Sequence, residues 1–198
     1  MPNTNAPARP LLSFDLDGVL ATTPLGRNFT MHRRVDLPPA AALTAIPFPP
    51  DPNPSLRDQL MIQTYFRVRY RGREPMPGAA AAIASAAQRY RVIVLTSRNW
   101  RGRKATEVWL RRHGMLQNVE RVVMNNSQLI SARFKEQAAQ QLGVVRHVED
   151  DVATAALLAR AGIAVDLIDW PSNRDFPFPD GVTRRADLTA LTAAFGHD

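Results

Sequence analysis

The chain has 198 residues, no cysteine and a formal net charge of +7. Its length fits a single domain, its 45% hydrophobic residues suffice for a buried core, and the absence of Cys excludes disulfide frameworks, thiol nucleophiles and thiolate metal sites. No apolar run is long enough to cross a bilayer. Residues 1–10 are polar and Pro-rich, unlike a signal peptide, so we expect a flexible tail on a cytoplasmic protein with no membrane partner.

The positive charge is unevenly distributed along the chain. Only two of the 25 basic residues are Lys, and residues 67–112 hold 12 basic and two acidic side chains, whereas the remainder is net negative. A GC-rich genome that favours Arg and Ala codons would explain the residue types. An anionic partner such as a phosphate ester, a nucleotide or a nucleic acid would explain the clustering, which favours this second interpretation.

The predicted elements alternate between strands and helices. Apolar and β-branched runs predict strands at 11–16, 91–96, 119–124, 144–148 and 163–168. Helical periodicity and capping residues predict helices at 55–65, 77–90, 101–113, 131–143, 152–161 and 184–195. This alternation is typical of right-handed βαβ units, so the predicted fold class is α/β, a doubly wound parallel sheet with helices on both faces.

A stretch without this rhythm separates the first strand from the rest. Residues 38–54 contain seven prolines, which exclude a helix interior or a central strand. We therefore expect a core formed by residues 11–27 and 77–198, with a small Pro-rich insert at 28–76. Within the insert, Arg67, Arg69 and Arg71 alternate with apolar residues, so a strand there would direct one basic face either toward an anionic substrate or into solvent.

Two carboxylates lie at the end of the first strand, in the segment FDLDGVL. Asp15 and Asp17 start on one side of the strand, and the chain turns at Gly18. Neighbouring carboxylates repel each other unless a cation lies between them, and Mg²⁺ prefers carboxylate oxygens. A metal site and a simple acidic turn are both compatible with these residues taken alone.

The second strand ends in hydroxyl and guanidinium side chains. Thr96, Ser97 and Arg98 precede a helix, where hydroxyls and backbone N–H groups can bind an anion. The alternative is ordinary capping of that helix by Ser97 or Asn99.

Two later elements add a lysine and an acidic run. Lys135 lies near the start of a helix, where a cation opposes the helix dipole, so it is either a functional group or a solvated surface residue. Glu149, Asp150 and Asp151 follow the fourth strand. Asp151 can cap the next helix, which leaves two carboxylates that either bind a cation or form a solvated turn.

Taken in order, these four segments resemble the motifs of the haloacid dehalogenase-like (HAD) hydrolase superfamily. The resemblance covers residues 10–170, with the motifs at FDLDGVL (14–20), VIVLTSR (92–98), residues 134–135 and HVEDD (147–151). It implies a Rossmann-like core, and it makes the insert a small C1 cap. A cap of this size leaves the site open, which suits a large or polymeric phosphate ester or a site that a second chain completes.

The resemblance also implies a role for each matched residue. Asp15 would be the nucleophile that forms an aspartyl-phosphate, and Asp17 the general acid and base. Thr96 would bind the transferring phosphoryl group, and Lys135 would neutralise charge. The implied Mg²⁺ ligands are Asp15, the Asp17 carbonyl, Asp150 and Glu149, the last directly or through water, and the expected substrate contacts are Ser97, Arg98 and Arg69.

The leading hypothesis is a Mg²⁺-dependent phosphatase acting on a small-molecule phosphate ester such as a nucleotide. More loosely, the chain resembles deoxyribonucleotidases and the phosphatase domains of polynucleotide end-repair enzymes. The alternatives are therefore an end-processing phosphatase on DNA or RNA termini and a non-catalytic phosphate-binding module. Trp100 and Trp170 either stack on a base or pack against the core.

Overall fold

A computed structural model describes residues 9–22, 56–57, 60–61, 64–66, 72–127, 129–175, 177 and 179–197. Arg69, the predicted tail at residues 1–8 and most of the predicted insert lie outside the described residues. Within the insert, residues 56–57, 60–61 and 64–66 are helical, inside and just beyond the helix predicted at 55–65. Among the described residues, no helix is both long and apolar enough to cross a membrane.

The core is a six-stranded sheet in which every strand pair is parallel. Its strands are β1 (Leu11–Phe14), β2 (Arg91–Asn99), β3 (Arg121–Asn125), β4 (Val144–Glu149), β5 (Ala164–Ile168) and β6 (Val182–Arg185). The strand order is β3-β2-β1-β4-β5-β6, so the chain first builds outward from β1 in one direction and then in the other. The doubly wound α/β fold that the sequence predicts is thus confirmed.

Helices cover both faces of the sheet because the strand side chains alternate between two apolar layers. The helices are α1 (Ala79–Arg89), α2 (Arg103–Arg112), α3 (Ser131–Leu142), α4 (Val152–Arg160) and α5 (Leu188–His197). In β2, Val92 and Val94 pack in the layer with α1, α2 and α5, whereas Ile93 and Leu95 pack in the layer with α3 and α4.

The predicted helix at 184–195 is wrong at its start. Residues Val182–Arg185 form the edge strand β6, which pairs with β5, and the helix begins only at Leu188. The side chain of Asp187 accepts a hydrogen bond from the backbone N–H of Ala190 at 2.8 Å, which is the capping contact that marks the helix start. An edge strand of four residues, three half-buried and one exposed, with two arginines among them, carries too little apolar periodicity for recognition from sequence.

The strand order places a crevice beside β1. In a doubly wound sheet, ligands bind outside the carboxyl ends of the strands where the order reverses, which here is between β1 and β4. Phe14 of β1 pairs with Val148 of β4, and the backbone N–H of Asp15 donates to the carbonyl of Val148 at 2.9 Å. The residues that follow these two strands therefore lie side by side at the mouth of the crevice.

Candidate active site

The turn after β1 is closed by glycine and anchored from a distant loop. Gly18 has a φ of 92°, a left-handed conformation that costs other residues free energy. A Cβ atom at this position would overlap the carboxylate of Asp150, so glycine also provides the space in which that carboxylate lies. The indole N–H of Trp170 donates to the Gly18 carbonyl at 3.0 Å, and the Trp170 ring packs against the core.

Lys135 joins the acidic segments of β1 and β4. Its Nζ atom lies 3.0 Å from Asp15 Oδ1 and 2.7 Å from Glu149 Oε2. The side chains of Asp15, Lys135 and Glu149 are 7%, 2% and 0% exposed, respectively. Lys135 is therefore not a solvated surface residue, and its position on α3 places a buried positive charge between two buried carboxylates.

Burial and this shared ammonium shift the three groups in different directions. Burial raises the pKa of Asp15 to about 7. Lys135 lowers this pKa only in part, and the neighbouring carboxylates of Glu149 and Asp17 raise it further. Burial also opposes the charge of Glu149, but Lys135 and a hydrogen bond from His147 outweigh it and hold the pKa of Glu149 below its usual range. The pKa of Lys135 is raised, because Asp15 and Glu149 outweigh its own desolvation.

The three acids after β4 have separate environments. Glu149 Oε1 accepts the backbone N–H groups of Asp150 and Asp151 at 3.0 and 3.1 Å. The carboxylate of Asp151 accepts from the N–H and hydroxyl of Thr154 at 2.9 and 2.6 Å, so it caps α4 as the sequence predicts. The backbone carbonyl of Asp150 accepts from the side-chain amide of Asn173 at 3.0 Å.

Three carboxylates converge where the sequence predicts a metal. One oxygen each from Asp15, Glu149 and Asp150 lies within 4.8 Å of the others, and all three residues are buried. Lys135 supplies one positive charge for this group, and the absence of a Cβ atom at Gly18 leaves room for the Asp150 carboxylate. Hard oxygen ligands with excess negative charge fit Mg²⁺.

Asp17 is held by two arginines at the rim of the site. Arg98 Nε donates to Asp17 Oδ2 at 2.7 Å and Arg98 Nη2 donates to Oδ1 at 2.6 Å, which is a two-pronged ion pair. Arg73 also donates to Oδ1. Although burial opposes it, the hydrogen bonds and charge of Arg98, together with the charge of Arg73, lower the pKa of Asp17. The Asp17 carboxylate is therefore ionised in this arrangement.

The remaining predicted residues at the end of β2 differ in exposure. Thr96 is buried, and its Oγ1 accepts the backbone N–H of Arg98 at 3.2 Å. Ser97 is exposed. The side chain of Asn99 accepts from the backbone N–H of Arg101 at 2.9 Å and thereby caps the short 3₁₀ turn that precedes α2.

Sequence reasoning missed two residues that shape the site. Arg73 lies in the predicted insert and counts toward the basic region, but nothing local distinguishes it from its neighbouring arginines. Its backbone carbonyl accepts the indole N–H of Trp109 at 2.7 Å, which ties the segment to α2. Asn173 lies in the Pro-rich loop after β5 and has no sequence pattern that predicts its contact with Asp150.

Comparison with known proteins gives a fold-level result. No protein-family profile and no curated protein sequence matches the chain. Among solved structures, CbbY from Rhodobacter sphaeroides in complex with phosphate is similar, with 18% identity, a TM-score of 0.57 and coverage of 92% of this chain and 96% of that one. A HAD-superfamily hydrolase from Ehrlichia chaffeensis has 10% identity, a TM-score of 0.55 and coverage of 97% and 98%.

A third similar structure is that of the Pnkp1/Rnl/Hen1 RNA repair complex. The identity is 17% and the TM-score 0.53, and the match covers 85% of this chain but 44% of that one. The predicted resemblance is thus confirmed at the level of the fold: this chain has the fold of the HAD-superfamily hydrolases.

Proposed function

We propose that the protein is a Mg²⁺-dependent phosphomonoesterase that forms an aspartyl-phosphate on Asp15. The observation that supports this best is the buried contact of Asp15 with the Lys135 ammonium, beside the carboxylates of Glu149 and Asp150. A carboxylate nucleophile and an anionic phosphoryl group repel each other, so the attack needs positive charge beside both groups. In the crevice between β1 and β4, a fixed cation lies beside three carboxylates that could hold a metal ion.

In the proposed first step, a carboxylate oxygen of Asp15 attacks phosphorus and the bond from phosphorus to the ester oxygen breaks. Lys135 holds Asp15 by one N–H and stabilises the negative charge that spreads over the phosphoryl oxygens. The hydroxyl of Thr96 donates to one of those oxygens. A bound Mg²⁺, held by Asp15, Asp150, the Asp17 carbonyl and Glu149, would supply further charge neutralisation.

Asp17 transfers the proton in both halves of the proposed reaction. It gives a proton to the departing alkoxide, and it then takes one from the water that splits the aspartyl-phosphate into Asp15 and inorganic phosphate. In the substrate-free arrangement its carboxylate is ionised and paired with Arg98 and Arg73. The first step therefore requires Arg98 and Arg73 to exchange Asp17 for the substrate phosphate. Asp17 then loses the charges that stabilise its ionised form, takes up a proton from solvent and gives that proton to the alkoxide. In this proposal both arginines are anion-binding residues.

The test is hydrolysis of an aryl phosphate by purified protein with and without Mg²⁺. Asp15→Asn keeps the shape of the side chain and removes the nucleophile, so we expect kcat to fall by roughly 10³-fold or more. Asp150→Asn should weaken Mg²⁺ binding, which raises the Mg²⁺ concentration needed for half-maximal activity. Asp151→Asn is the matched control, because Asn also caps helices well and activity should stay near that of the wild type. Full activity of Asp15→Asn would contradict the proposal.

The physiological substrate is proposed to be a nucleotide or another anionic phosphate ester. A substrate with more than one negative group can satisfy Arg98 or Arg73 while its terminal phosphate meets Lys135. Kinetic comparison of nucleoside 3′,5′-bisphosphates, which carry a second phosphate, with the corresponding nucleoside monophosphates tests this. We expect Arg98→Met to reduce the preference for the more anionic substrate.

A second candidate function is removal of phosphate from nucleic-acid ends. The exposed surface of α2, which begins just after the Thr96–Arg98 segment, carries several cations, and the similar RNA repair complex suggests a polymeric ligand. These exposed cations are Arg103, Lys104, Arg111 and Arg112. A nucleic acid that continues beyond the scissile phosphate would pair its further phosphates with these side chains and release the counterions condensed on those phosphates.

Salt dependence separates this candidate from a mononucleotidase. For a phosphate-ended oligonucleotide, log KM should rise steeply with log salt concentration, whereas a mononucleotide should give a shallow slope. Lys104→Gln with Arg111→Gln should reduce the oligonucleotide slope by roughly one unit for each phosphate that the variant no longer binds. Equal slopes for the two substrates would rule out the polymeric one.

A further inference from the structure

A buried chain of polar side chains continues from Lys135 away from the crevice. It consists of Lys135, Glu149, His147 and Ser13, hereafter the polar chain. His147 Nε2 lies 3.0 Å from Glu149 Oε2, and His147 Nδ1 lies 2.6 Å from Ser13 Oγ. Ser13 and His147 are both 0% exposed.

Strand register explains how these residues meet. Ser13 of β1 and His147 of β4 are direct partners across the two strands, two residues before Asp15 and Glu149. Residues two apart in a strand point to the same face. Ser13 and His147 therefore lie side by side on the face of the sheet that also carries Asp15 and Glu149. The same face carries Leu11, which packs in the apolar layer with α3, and α3 provides Lys135.

The hydrogen bonds from Ser13 through His147 to Glu149 in the polar chain have one consistent direction. Glu149 is an acceptor, so the proton of a neutral His147 lies on Nε2 and is donated to Glu149 Oε2. His147 Nδ1 then accepts the hydroxyl proton of Ser13.

Folding alone gives little reason for a histidine and a serine at these positions. Polar groups in an apolar layer cost free energy unless they are paired, and well-packed apolar residues are often as stabilising. Glu149 does not depend on His147 for a partner, since Lys135 and two backbone N–H groups also donate to it. What His147 adds is a second donor on Oε2, the oxygen that also holds the Lys135 ammonium.

We propose that His147, oriented by Ser13, is a positioning residue that fixes Glu149 Oε2 and thereby keeps the Lys135 ammonium against Asp15. The inference rests on the proposed function, because it assigns to His147 a contribution to phosphoryl transfer at Asp15. A group that orients a ligand or a charged residue in a site contributes through geometry without touching substrate. Removal of such a group should lower kcat with little effect on KM.

The main experiment compares two variants with the wild type. Ser13→Ala combined with His147→Leu removes both polar side chains together and leaves no orphaned hydroxyl. We expect its urea midpoint to equal or exceed that of the wild type, with kcat lower by about 10- to 100-fold and KM within about threefold. His147→Gln retains an amide donor toward Glu149 and should recover most of the kcat. A kcat of the double variant within twofold of the wild type would overturn the proposal.

A second comparison applies if the double variant does not fold. His147→Gln reaches Glu149 with its amide, whereas His147→Asn is one methylene shorter and does not. A higher kcat for the Gln variant supports positioning through this donor, and equal kcat values overturn it.

A readout without catalysis separates this inference from the proposed function. In the Lys135→Met variant, Glu149 keeps His147 as a side-chain hydrogen-bond donor. In a His147→Leu background, the same substitution leaves Glu149 Oε2 with neither of its two side-chain donors, Lys135 and His147. The loss of urea midpoint caused by Lys135→Met should therefore be larger in that background, and strictly additive losses would overturn the proposal. If the wild type hydrolyses no phosphate ester while the losses are non-additive, the proposed function is wrong and the coupling of His147 to Lys135 stands.

Discussion

The buried carboxyl of Asp15 should make the metal-free protein less stable as pH rises. In the folded state burial raises the pKa of Asp15 to about 7, whereas its usual value is 3.8. Between these two values the folded state holds a proton that the unfolded chain has lost. Stability is therefore lost as pH increases through this window and is constant above it.

The size of the effect follows from the shift. At about 1.4 kcal/mol per pKa unit, a rise from 3.8 to about 7 corresponds to at most about 4 kcal/mol of lost stability at pH 8. The Asp15 side chain is only 7% exposed, so solvent screens the effect little. Because His147 titrates in the opposite direction, the quantity to measure is the difference between the wild type and Asp15→Asn.

Urea denaturation in EDTA at pH 5 and pH 8 measures this difference. From pH 5 to pH 8 the stability of Asp15→Asn relative to the wild type should rise by about 3 kcal/mol, because roughly two of the three pKa units of the shift lie above pH 5. Saturating Mg²⁺ should remove most of the wild-type deficit at pH 8, since a bound cation favours the ionised carboxylate. Parallel pH profiles of wild type and Asp15→Asn in EDTA would refute the argument that burial governs this carboxyl.

Two further substitutions test how the site is held. Gly18→Ala should lower kcat more than 10-fold, because its Cβ would displace the Asp150 carboxylate. Gly143→Ala is the control: Gly143 also has a positive φ, 69°, but a Cβ there would meet no neighbouring group within 4 Å. It should cost about 1 kcal/mol of stability and leave activity intact. Trp109→Phe keeps the buried ring but loses the hydrogen bond to the Arg73 carbonyl, so KM for an anionic substrate should rise several-fold while stability falls by about 1 kcal/mol. An unchanged KM would mean that Arg73 is positioned by other contacts.

The sequence predicts most of the fold because the elements that form it are locally encoded. The five strands predicted from the sequence are short, mainly apolar runs, and a glycine stop or a polar cap bounds three of the helices between them, so alternation alone identifies a parallel sheet. The edge strand β6 is the exception, since its Thr and Arg residues resemble a loop. Its place is set by pairing with β5, which no local pattern encodes.

The candidate site is predictable only in part, for a related reason. Acidic, hydroxyl and ammonium groups at strand ends can be found by position, because parallel strands bring their carboxyl ends to one edge. Partnerships across the sheet need the register: Ser13 meets His147 over 134 residues of sequence, and Arg73 reaches Asp17 over 56. Composition helped to identify Lys135, because a lysine is informative in a chain that has only two among its 25 basic residues.

The excess of arginine becomes more informative once its partners are known. Away from the crevice, Arg146 and Arg185 both donate to Asp166, whose side chain is 2% exposed, so these guanidiniums neutralise a buried charge of the fold. Asp17 also binds two arginines, but its side chain is 30% exposed and lies at the rim of the site. A planar fork suits a carboxylate and a phosphate equally well, so an arginine on an accessible acid can exchange one for the other at little cost. Under the proposed function, an accessible acid partner at the rim of the site, rather than net charge, distinguishes Arg98 and Arg73 from the arginines that neutralise Asp166.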